Sequence, residues 1–591
     1  MTEQRLTLKS AALAVLIVLA GLPLRFDLAQ RLYLDFDEAM YFQAASEPTL
    51  ADSWEASRIH THPPLAFLMY HEWLNVGDSE WLLRLPSIVL GAVATWIAYL
   101  WLARVTDRRA ALVGVFVMTF ALPVLHVSAQ MRSYTLLFVF AFGALWFNER
   151  FRETRQLRHL TGEVSCLMLA LLTHYAAAWL IGVLGVVGLV RSMSWGLSSR
   201  ATRGWGVSQF LLAGACLALY VTHIRGFVGG TTQEELWSFW MHGNRFGETL
   251  SGRLMFAIFS SGRFFGGMFG FLWAPMLCAA GAGVWLLSRR ASVEAGEPEG
   301  VSPRTTQRPG ANALRLAKAV SVERVLLVAL PFVFAIVLQT VKVYPFGATR
   351  HSLWLLPFLL LAISVAARPL LSKSSAVWRI GVAVACLLWA GLYPVRFVSQ
   401  FSTKLTPELM RQTVAQWKSS ISREDLILTD EGTRNVLAYY LGRAEVDRGR
   451  ELAHGFREYR IDGFRVVTIP KFHFFMYSLR DDWPSFADSL GEHSTQPLWL
   501  AYMGFEVPGN DLKSLGQRLP PAQVLARHMV GDNHLLRVQF REPQETTAAV
   551  VHDQTGEPEG VSPRTGREQL HVRGLTPSGS PAQRTVRSGE R

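Results

Sequence analysis

The sequence predicts a polytopic α-helical membrane protein of about eleven transmembrane helices, followed by a small exported α/β domain. Half of the 591 residues are hydrophobic, and they come in blocks of about 17–25 residues, the length that a helix needs to cross about 30 Å of hydrocarbon. A surface helix of a soluble protein is apolar along one face only. The blocks are therefore interpreted as membrane spans.

The predicted spans occupy residues 1–397. Their approximate bounds are 8–24, 83–103, 110–128, 134–149, 161–174, 176–190, 207–224, 266–287, 324–341, 351–367 and 378–397. The fifth and sixth are short and could form one long helix, but the polar Thr173-His174-Tyr175 break between them favours two. The first resembles a signal peptide without a convincing cleavage site, and it is interpreted as an uncleaved helix.

The positive charge predicts the orientation. The formal net charge of +12 comes from short clusters of Arg and Lys between the apolar blocks, all on one side of the predicted membrane. That side is cytoplasmic by the positive-inside rule, and eleven crossings then leave the C-terminal region outside. We expect a protein of the inner cell membrane with its active site on the extracytoplasmic face. Charge spread in this way argues against a nucleic-acid partner.

Three long segments are predicted on the exported side. They are a polar, aromatic-rich first loop (25–82), an interfacial loop (225–265) and the α/β domain (398–545). In the α/β domain a helical pattern alternates with short apolar runs that predict strands. The helical pattern covers 409–421, and the strand-like runs are 426–429, 466–469, 498–502 and 535–540.

Two further segments are expected to be disordered because they are rich in Pro, Gly, Ser and Arg. They are a cytoplasmic loop (288–323) and the tail (546–591), and each contains the ten residues GEPEGVSPRT. A repeat that carries a fold is normally longer, about 20–50 residues. We assign this repeat no function.

The candidate catalytic centre is acidic. Asp35, Asp37 and Glu38 follow the first span within four positions. Mutual repulsion and nearby low-dielectric material both raise the pKa of a carboxyl group, which suits a general base or a group that orients an acceptor. An ordinary acidic loop that solvates the helix end explains the spacing equally well.

Metal sites have little support in the sequence. The four cysteines, Cys166, Cys216, Cys278 and Cys386, lie inside apolar blocks and form no CxxC or Cys/His cluster, so they are interpreted as small buried hydrophobic residues. His60 and His62 could bind a metal, but the two prolines that follow them favour a turn at a helix start. The sequence predicts no required cofactor, and a bound divalent metal is left as the alternative.

Further ionisable residues fall at the exported ends of other spans. Contact with headgroups is the commoner role of any single one, and Arg84 is expected to snorkel. Ionisable residues at this depth also face cavities or partners, and several cations beside an acidic loop suit a lipid phosphate. The residues are Arg132, His174, Tyr175, Lys342, Arg350 and His351.

The order of these motifs resembles the protein O-mannosyltransferase and aminoarabinose-transferase group, which is glycosyltransferase family 39 and its bacterial relatives with the C-type membrane glycosyltransferase fold. The resemblance is specific over residues 25–180 and looser from 200 to 400. Each motif alone is weak, but five in order are strong. They are Asp37-Glu38, His62-Pro-Pro-Leu65, Arg84-Leu-Pro-Ser87, Arg132-Ser-Tyr134 and His174-Tyr175.

The resemblance implies the inverting transfer of a sugar from a polyprenyl-phosphate donor to an acceptor lipid, glycan or protein on the exported face. It matches Asp37 to the catalytic aspartate and Glu38 to its partner, with Asp35 as the alternative. Cations would neutralise the departing phosphate without a metal, and membrane lipids would be further partners. The cations are Arg132, Lys342 and Arg350, and the pocket-shaping residues are Tyr41, His62, His174, Tyr175 and His351.

Two departures from the family pattern bear on the phosphate site. The last exported loop commonly carries Arg-Tyr, whereas this chain has Arg350-His351. The usual Glu-Ala-Arg near span four is Gln130-Met131-Arg132 here, so an acidic neighbour is missing. Both departures concern the phosphate site more than the class of enzyme.

A multi-pass transporter or flippase of lipid-linked sugars is the alternative function. Such a protein would be expected to show inverted repeats and helices broken near the midplane. The two halves of this chain lack hydropathy symmetry, and its polar residues collect near one surface. A sensor or scaffold with a ligand-binding exported domain is a third possibility, and it would not need the acidic loop.

Overall fold

The computed structural model divides into two compact units. Unit 1 is Met1–Arg411 with Asn435–Val446, and unit 2 is Gln412–Arg434 with Asp447–Arg591. The structure describes residues 2–59, 62–196, 199–225, 249–293, 311–341, 343–347, 349–372, 375–400, 406–442, 449–503, 512–530 and 533–542.

Unit 1 is helical. In chain order its helices are α1 (Thr2–Arg31), α2 (Phe36–Ala45), α3 (Leu50–Ile59), α4 (Leu65–Trp73), α5 (Glu80–Val105), α6 (Arg108–Phe120), α7 (Leu122–Ser128), α8 (Tyr134–Thr154), α9 (Leu157–Leu171), α10 (Ala177–Trp195), α11 (Arg200–Leu219), α12 (Leu250–Phe269), α13 (Trp273–Val293), α14 (Ala311–Thr340), α15 (Leu356–Ser372), α16 (Ala376–Ala390) and α17 (Arg396–Gln400). A 3₁₀ helix, Arg350–Leu355, leads into α15, and single π-helical turns follow α11 and α16.

Eight helical segments in the described part of the chain are long and apolar enough to span a membrane. The number becomes nine if α6 and α7, bent by 58°, count as one span. Helices α11 and α16 also leave large apolar side chains exposed, such as Phe210, Leu211 and Val377, as expected of faces that meet lipid. The chain is therefore a multi-pass integral membrane protein.

The count of eleven spans stays a prediction. All eleven predicted segments are helical, but 134–149 and 161–174 fall outside the nine. Helix α9 has only 15 residues, and α8 carries four charged residues in its last two turns. Helices α9 and α10 are separate, as the Thr173-His174-Tyr175 break predicted.

Some helices extend into segments that were predicted as loops. Helix α1 continues to Arg31 instead of ending at 24, and Asp27 and Arg31 form an i,i+4 ion pair at 2.9 Å in its last turns. The loop predicted to be disordered over 288–323 is helical up to Val293 and again from Ala311.

Parts of other predicted segments lie outside the described residues. They are 226–248 of the interfacial loop, 294–310 of the cytoplasmic loop and the whole tail, 546–591. Both copies of the ten-residue repeat lie in the last two of these ranges.

The elements that follow α17 build the C-terminal part of the chain. They are α18 (Pro407–Ser420), β1 (Leu426–Thr429), α19 (Glu431–Leu441), β2 (Arg450–Glu451), β3 (Arg457–Ile461), β4 (Phe464–Thr468), α20 (Trp483–Leu490), β5 (Leu498–Met503), α21 (Leu512–Arg518), β6 (Ala522–Val530) and β7 (Asn533–Phe540).

The strands of unit 2 form one mixed sheet in the order β2-β3-β4-β1-β5-β7-β6. The central strands β4, β1 and β5 are parallel, with Leu428 opposite Val467 and Leu500, and the outer strands pair antiparallel. Residues of the sheet and of α20 form the core, among them Leu500 and Phe486. The predicted mixture of helices and strands in this region is confirmed.

The predicted strands 426–429, 466–469, 498–502 and 535–540 all exist, with ends shifted by no more than two residues. Strands β2, β3 and β6 were missed. The turn between β3 and β4 carried a usable signal, because Asp462 and Gly463 both have positive φ (50° and 79°), and Asp-Gly is a preferred pair for such a two-residue hairpin.

Candidate active site

The acidic residues lie where the chain turns from α1 into α2. Asp35 caps α2, since its Oδ1 accepts a hydrogen bond from the Glu38 backbone N–H at 2.8 Å. The Glu38 side chain reaches back to the Asp35 backbone N–H, which completes a capping box. The first turn of α2 therefore holds all three carboxylates at fixed positions, and nearly every residue of this helix is buried.

Asp37 is held between two arginines from distant parts of unit 1. Its Oδ2 lies 2.5 Å from Nη2 of Arg132, which precedes α8, and 2.5 Å from Nη2 of Arg350, in the 3₁₀ helix. Arg132 is almost fully buried, whereas the Arg350 side chain is 30% exposed. Two cations predicted to hold a phosphate therefore meet the predicted catalytic aspartate.

Asp35 belongs to the same cluster. Its Oδ1 lies 3.3 Å from Nη2 of Arg132, and its Oδ2 accepts a hydrogen bond from Nε2 of Gln130 at 3.0 Å. Gln130 belongs to the segment before Arg132 in which the family commonly has a glutamate. The Gln130 amide donates a hydrogen bond to Asp35, whereas a glutamate carboxylate in its place would repel the Asp35 carboxylate.

The two aspartates respond differently to this environment. Burial alone would raise the pKa of Asp37, but Arg132 and Arg350 outweigh it and hold that pKa below its ordinary range. For Asp35, burial prevails over the attraction of Arg132, and its pKa is raised. At neutral pH the environment thus stabilises the Asp37 carboxylate more strongly than that of Asp35.

Glu38 makes a separate ion pair. Its Oε1 and Oε2 accept from Nε and Nη2 of Arg84 at 2.9 and 2.6 Å, and Oε1 also accepts from the Met131 backbone N–H at 2.7 Å. Neither Glu38 nor Arg84 is exposed. Because both carboxylate oxygens are already engaged by protein groups, this geometry favours a positioning role for Glu38.

Arg84 does not snorkel. Besides Glu38, its Nη1 donates to the carbonyls of Ala29 and Leu32 and its Nη2 to that of Tyr33, all at 2.6–2.7 Å. A guanidinium has five N–H groups, so every one has an acceptor. The carbonyls at the end of α1 would otherwise lack helical partners. Arg84 thus joins α5 to the end of α1 and the start of α2.

Tyr41 and His62 line one side of the acidic cluster. The Tyr41 hydroxyl donates to Ser133 Oγ at 3.0 Å, its ring stacks on Phe67 with centroids 4.5 Å apart, and its edge meets His62 at 5.7 Å. Burial raises the pKa of Tyr41 to about 12, so the hydroxyl stays protonated. Tyr41 and His62, both predicted to shape the pocket, are therefore in contact with each other.

Of the other predicted pocket residues, His174 and His351 lie near Arg350. His174 packs against Tyr134 with ring centroids 5.0 Å apart, and its Nδ1 accepts from the Ala176 backbone N–H at 3.1 Å. His351 meets Tyr344 edge-on at 6.1 Å. Sequence reasoning did not single out Tyr344.

Two predicted candidates, Lys342 and His60, lie outside the described residues. Within the described ranges, no group of three or more His, Cys, Asp or Glu side chains is placed to hold a metal ion. That no cofactor is required stays a prediction.

A known protein family matches part of this chain. The model described as dolichyl-phosphate-mannose-protein mannosyltransferase matches residues 61–223, which contain four of the five motifs quoted above. The resemblance to this family of glycosyltransferases is confirmed. No curated protein sequence matches the chain.

Three solved structures are distantly similar. The Archaeoglobus fulgidus oligosaccharyltransferase, solved with zinc and sulfate, has 11% identity and a TM-score of 0.43, covering 71% of this chain and 61% of its own. The S. cerevisiae protein O-mannosyltransferase Pmt1-Pmt2 complex, bound to the sugar donor, has 18% identity and a TM-score of 0.29, covering 39% and 36%. ArnT from Cupriavidus metallidurans, bound to undecaprenyl phosphate, has 15% identity and a TM-score of 0.47, covering 89% and 97%. The chain spans less than two thirds of the length of the first two.

Proposed function

We propose that this protein, which resembles the dolichyl-phosphate-mannose-protein mannosyltransferases, transfers a sugar from a polyprenyl phosphate to an acceptor hydroxyl on the exported face of the cell membrane. The observation that carries the proposal is Asp37 held between Arg132 and Arg350, beside a segment that matches the family. Dolichyl phosphate is a polyprenyl phosphate, which supports this class of donor.

In the proposed reaction Asp37 accepts the proton of the acceptor hydroxyl. The acceptor oxygen forms a bond to the anomeric carbon, and the bond from that carbon to the phosphate oxygen breaks on the opposite face. The bonding electrons leave with the polyprenyl phosphate, so the configuration inverts. Cations beside the leaving group stabilise its charge, and Arg132 and Arg350 are the described candidates.

The ion pairs of Asp37 set a condition on this mechanism. A carboxylate whose pKa is held low is a weak base, and matched pKa values favour proton transfer. The donor phosphate can compete for Arg350, the more exposed of the two cations. Losing one cation raises the pKa of Asp37, so donor binding would make Asp37 a stronger base at the stage when it is needed.

The test is transfer by the purified protein in lipid vesicles. Radiolabelled polyprenyl-phosphate sugars are supplied with membrane acceptors, and label in the acceptor is measured. We expect Asp37→Asn to abolish transfer. Asp27→Asn is the matched control. The Asp27 side chain is 40% exposed in α1, so its replacement should leave transfer intact. Full transfer by Asp37→Asn and by Asp35→Asn would refute the mechanism.

A further inference from the structure

Among the side-chain polar groups that are buried without a hydrogen-bond partner in the described part of the chain, three belong to aromatic residues around the start of α10. They are the hydroxyls of Tyr175 and Tyr344 and the indole N–H of Trp179. Buried polar groups are nearly always satisfied, and each exception calls for an explanation such as a bound molecule. Three such groups in one place favour a common cause.

The three side chains form one patch. Tyr175 lies in the turn two residues before α10 and Trp179 lies in the first turn of α10, so both stand at the same end of that helix. The Trp179 ring meets the Tyr344 ring with centroids 5.9 Å apart at 66°, and Tyr344 meets His351 at 6.1 Å. His351 follows Arg350, the partner of Asp37. The patch therefore adjoins the proposed reaction centre.

The chemistry of the patch suits a neutral, hydroxylated ring. An indole N–H only donates, and a phenol can donate or accept, so the ligand must offer several oxygens. The flat faces of Trp179 and Tyr344 can also pack against apolar C–H groups. None of the three side chains is cationic, in contrast to Arg132 and Arg350, so the patch is a poor match for the phosphate itself.

We propose that Tyr175, Trp179 and Tyr344 bind the sugar ring of the donor while the arginines hold its phosphate. This inference rests on the proposed function and adds the residues that recognise the sugar. The sugar oxygens complete the hydrogen bonds of the three orphan groups. The anomeric carbon then lies between the patch and Asp37.

The experiment compares a carrier with and without its sugar. The probes are sugar-free undecaprenyl phosphate and undecaprenyl phosphate bearing mannose, glucose or 4-amino-4-deoxyarabinose, each titrated onto the full-length protein in nanodiscs. Tyr344→Phe and Trp179→Phe remove one polar group each and keep a ring. We expect each to weaken the best sugar-bearing probe about 5- to 30-fold and to change the sugar-free probe less than about twofold.

Tyr220→Phe is the matched control. Tyr220 is 41% exposed, so this substitution should leave the binding of both probes unchanged. Equal weakening of both probes by the patch variants would indicate a structural role and overturn the proposal. Unchanged binding of both probes would overturn it too, since the orphan groups would then be satisfied by water alone. If neither probe binds the unaltered protein, the proposed function fails, and the sugar site fails with it.

Discussion

The Glu38–Arg84 pair offers the sharpest test of which acids do chemistry and which hold the site together. Both side chains are fully buried, and Glu38 receives two hydrogen bonds from the guanidinium. Removing one partner of a buried ion pair leaves an uncompensated charge and costs about 3–5 kcal/mol. We therefore expect Glu38→Gln to lower the free energy of unfolding by about 3–5 kcal/mol, and Arg84→Met to do the same.

The assay is reversible unfolding in mixed detergent micelles, followed by tryptophan fluorescence, with the single variants and the double variant in one cycle. The double variant should lose less than the sum of the single losses, because groups in contact typically couple by about 0.5–3 kcal/mol. Arg104→Met is the control. Its pair with Glu153 is about one-third exposed, and such pairs contribute about 0–1 kcal/mol.

The contrary result for Glu38 is specific. If the free energy of unfolding of Glu38→Gln lies within about 1 kcal/mol of that of the unaltered protein, yet the variant loses all transfer, then Glu38 acts in the chemical step. The positioning role inferred from its engaged oxygens would then be wrong. A loss of both stability and transfer that Glu38→Asp partly restores is the result that the geometry favours.

Two further predictions follow from contacts around the acidic cluster. Arg350→Gln removes a cation that lowers the pKa of Asp37, so the acid limb of kcat/KM should move to higher pH, by about one unit or more; a pH profile that keeps its acid limb would contradict this. Tyr440→Phe removes a hydroxyl that accepts from the Leu34 N–H at 3.1 Å and donates to Glu80 at 2.6 Å. We expect the free energy of unfolding to fall by about 1.5–3 kcal/mol, as measured by unfolding. Transfer kinetics should show a lower kcat with an unchanged donor KM. An equal change in kcat and KM would count against a role of Tyr440 in ordering the loop before α2.

The sequence was most informative where a signal is carried by neighbours in the chain. The apolar blocks predicted the helices because a span must be continuous, and the family resemblance predicted that Asp37, Arg132 and Arg350 belong to one site. These residues are 95 and 313 positions from Asp37, so no spacing rule could place them. The family resemblance supplied the association, and the contacts at 2.5 Å agree with it.

The roles of adjacent acids were harder to predict. Asp37 and Glu38 are neighbours in α2 and so point about 100° apart around the helix axis. Which one meets Arg84 depends on where α2 begins. The capping-box spacing of Asp35 and Glu38 would have fixed that start and shown that Glu38 turns back toward the helix end. Trp179 and Tyr344 gave no local signal, because their meeting depends on how α10 packs beside the chain after α14.

The ion pairs of Glu38 and of Asp37 differ in one respect that separates their roles. Glu38 and Arg84 are both inaccessible, so no substrate group can replace either partner without unfolding the loop. Asp37 also has one inaccessible cation, Arg132, but its second, Arg350, is 30% exposed. Of the cations in these ion pairs, Arg350 is therefore the one at which a phosphate arriving from the membrane surface can replace the Asp37 carboxylate. Asp37 would keep one cation throughout, which holds the carboxylate in place while its basicity changes.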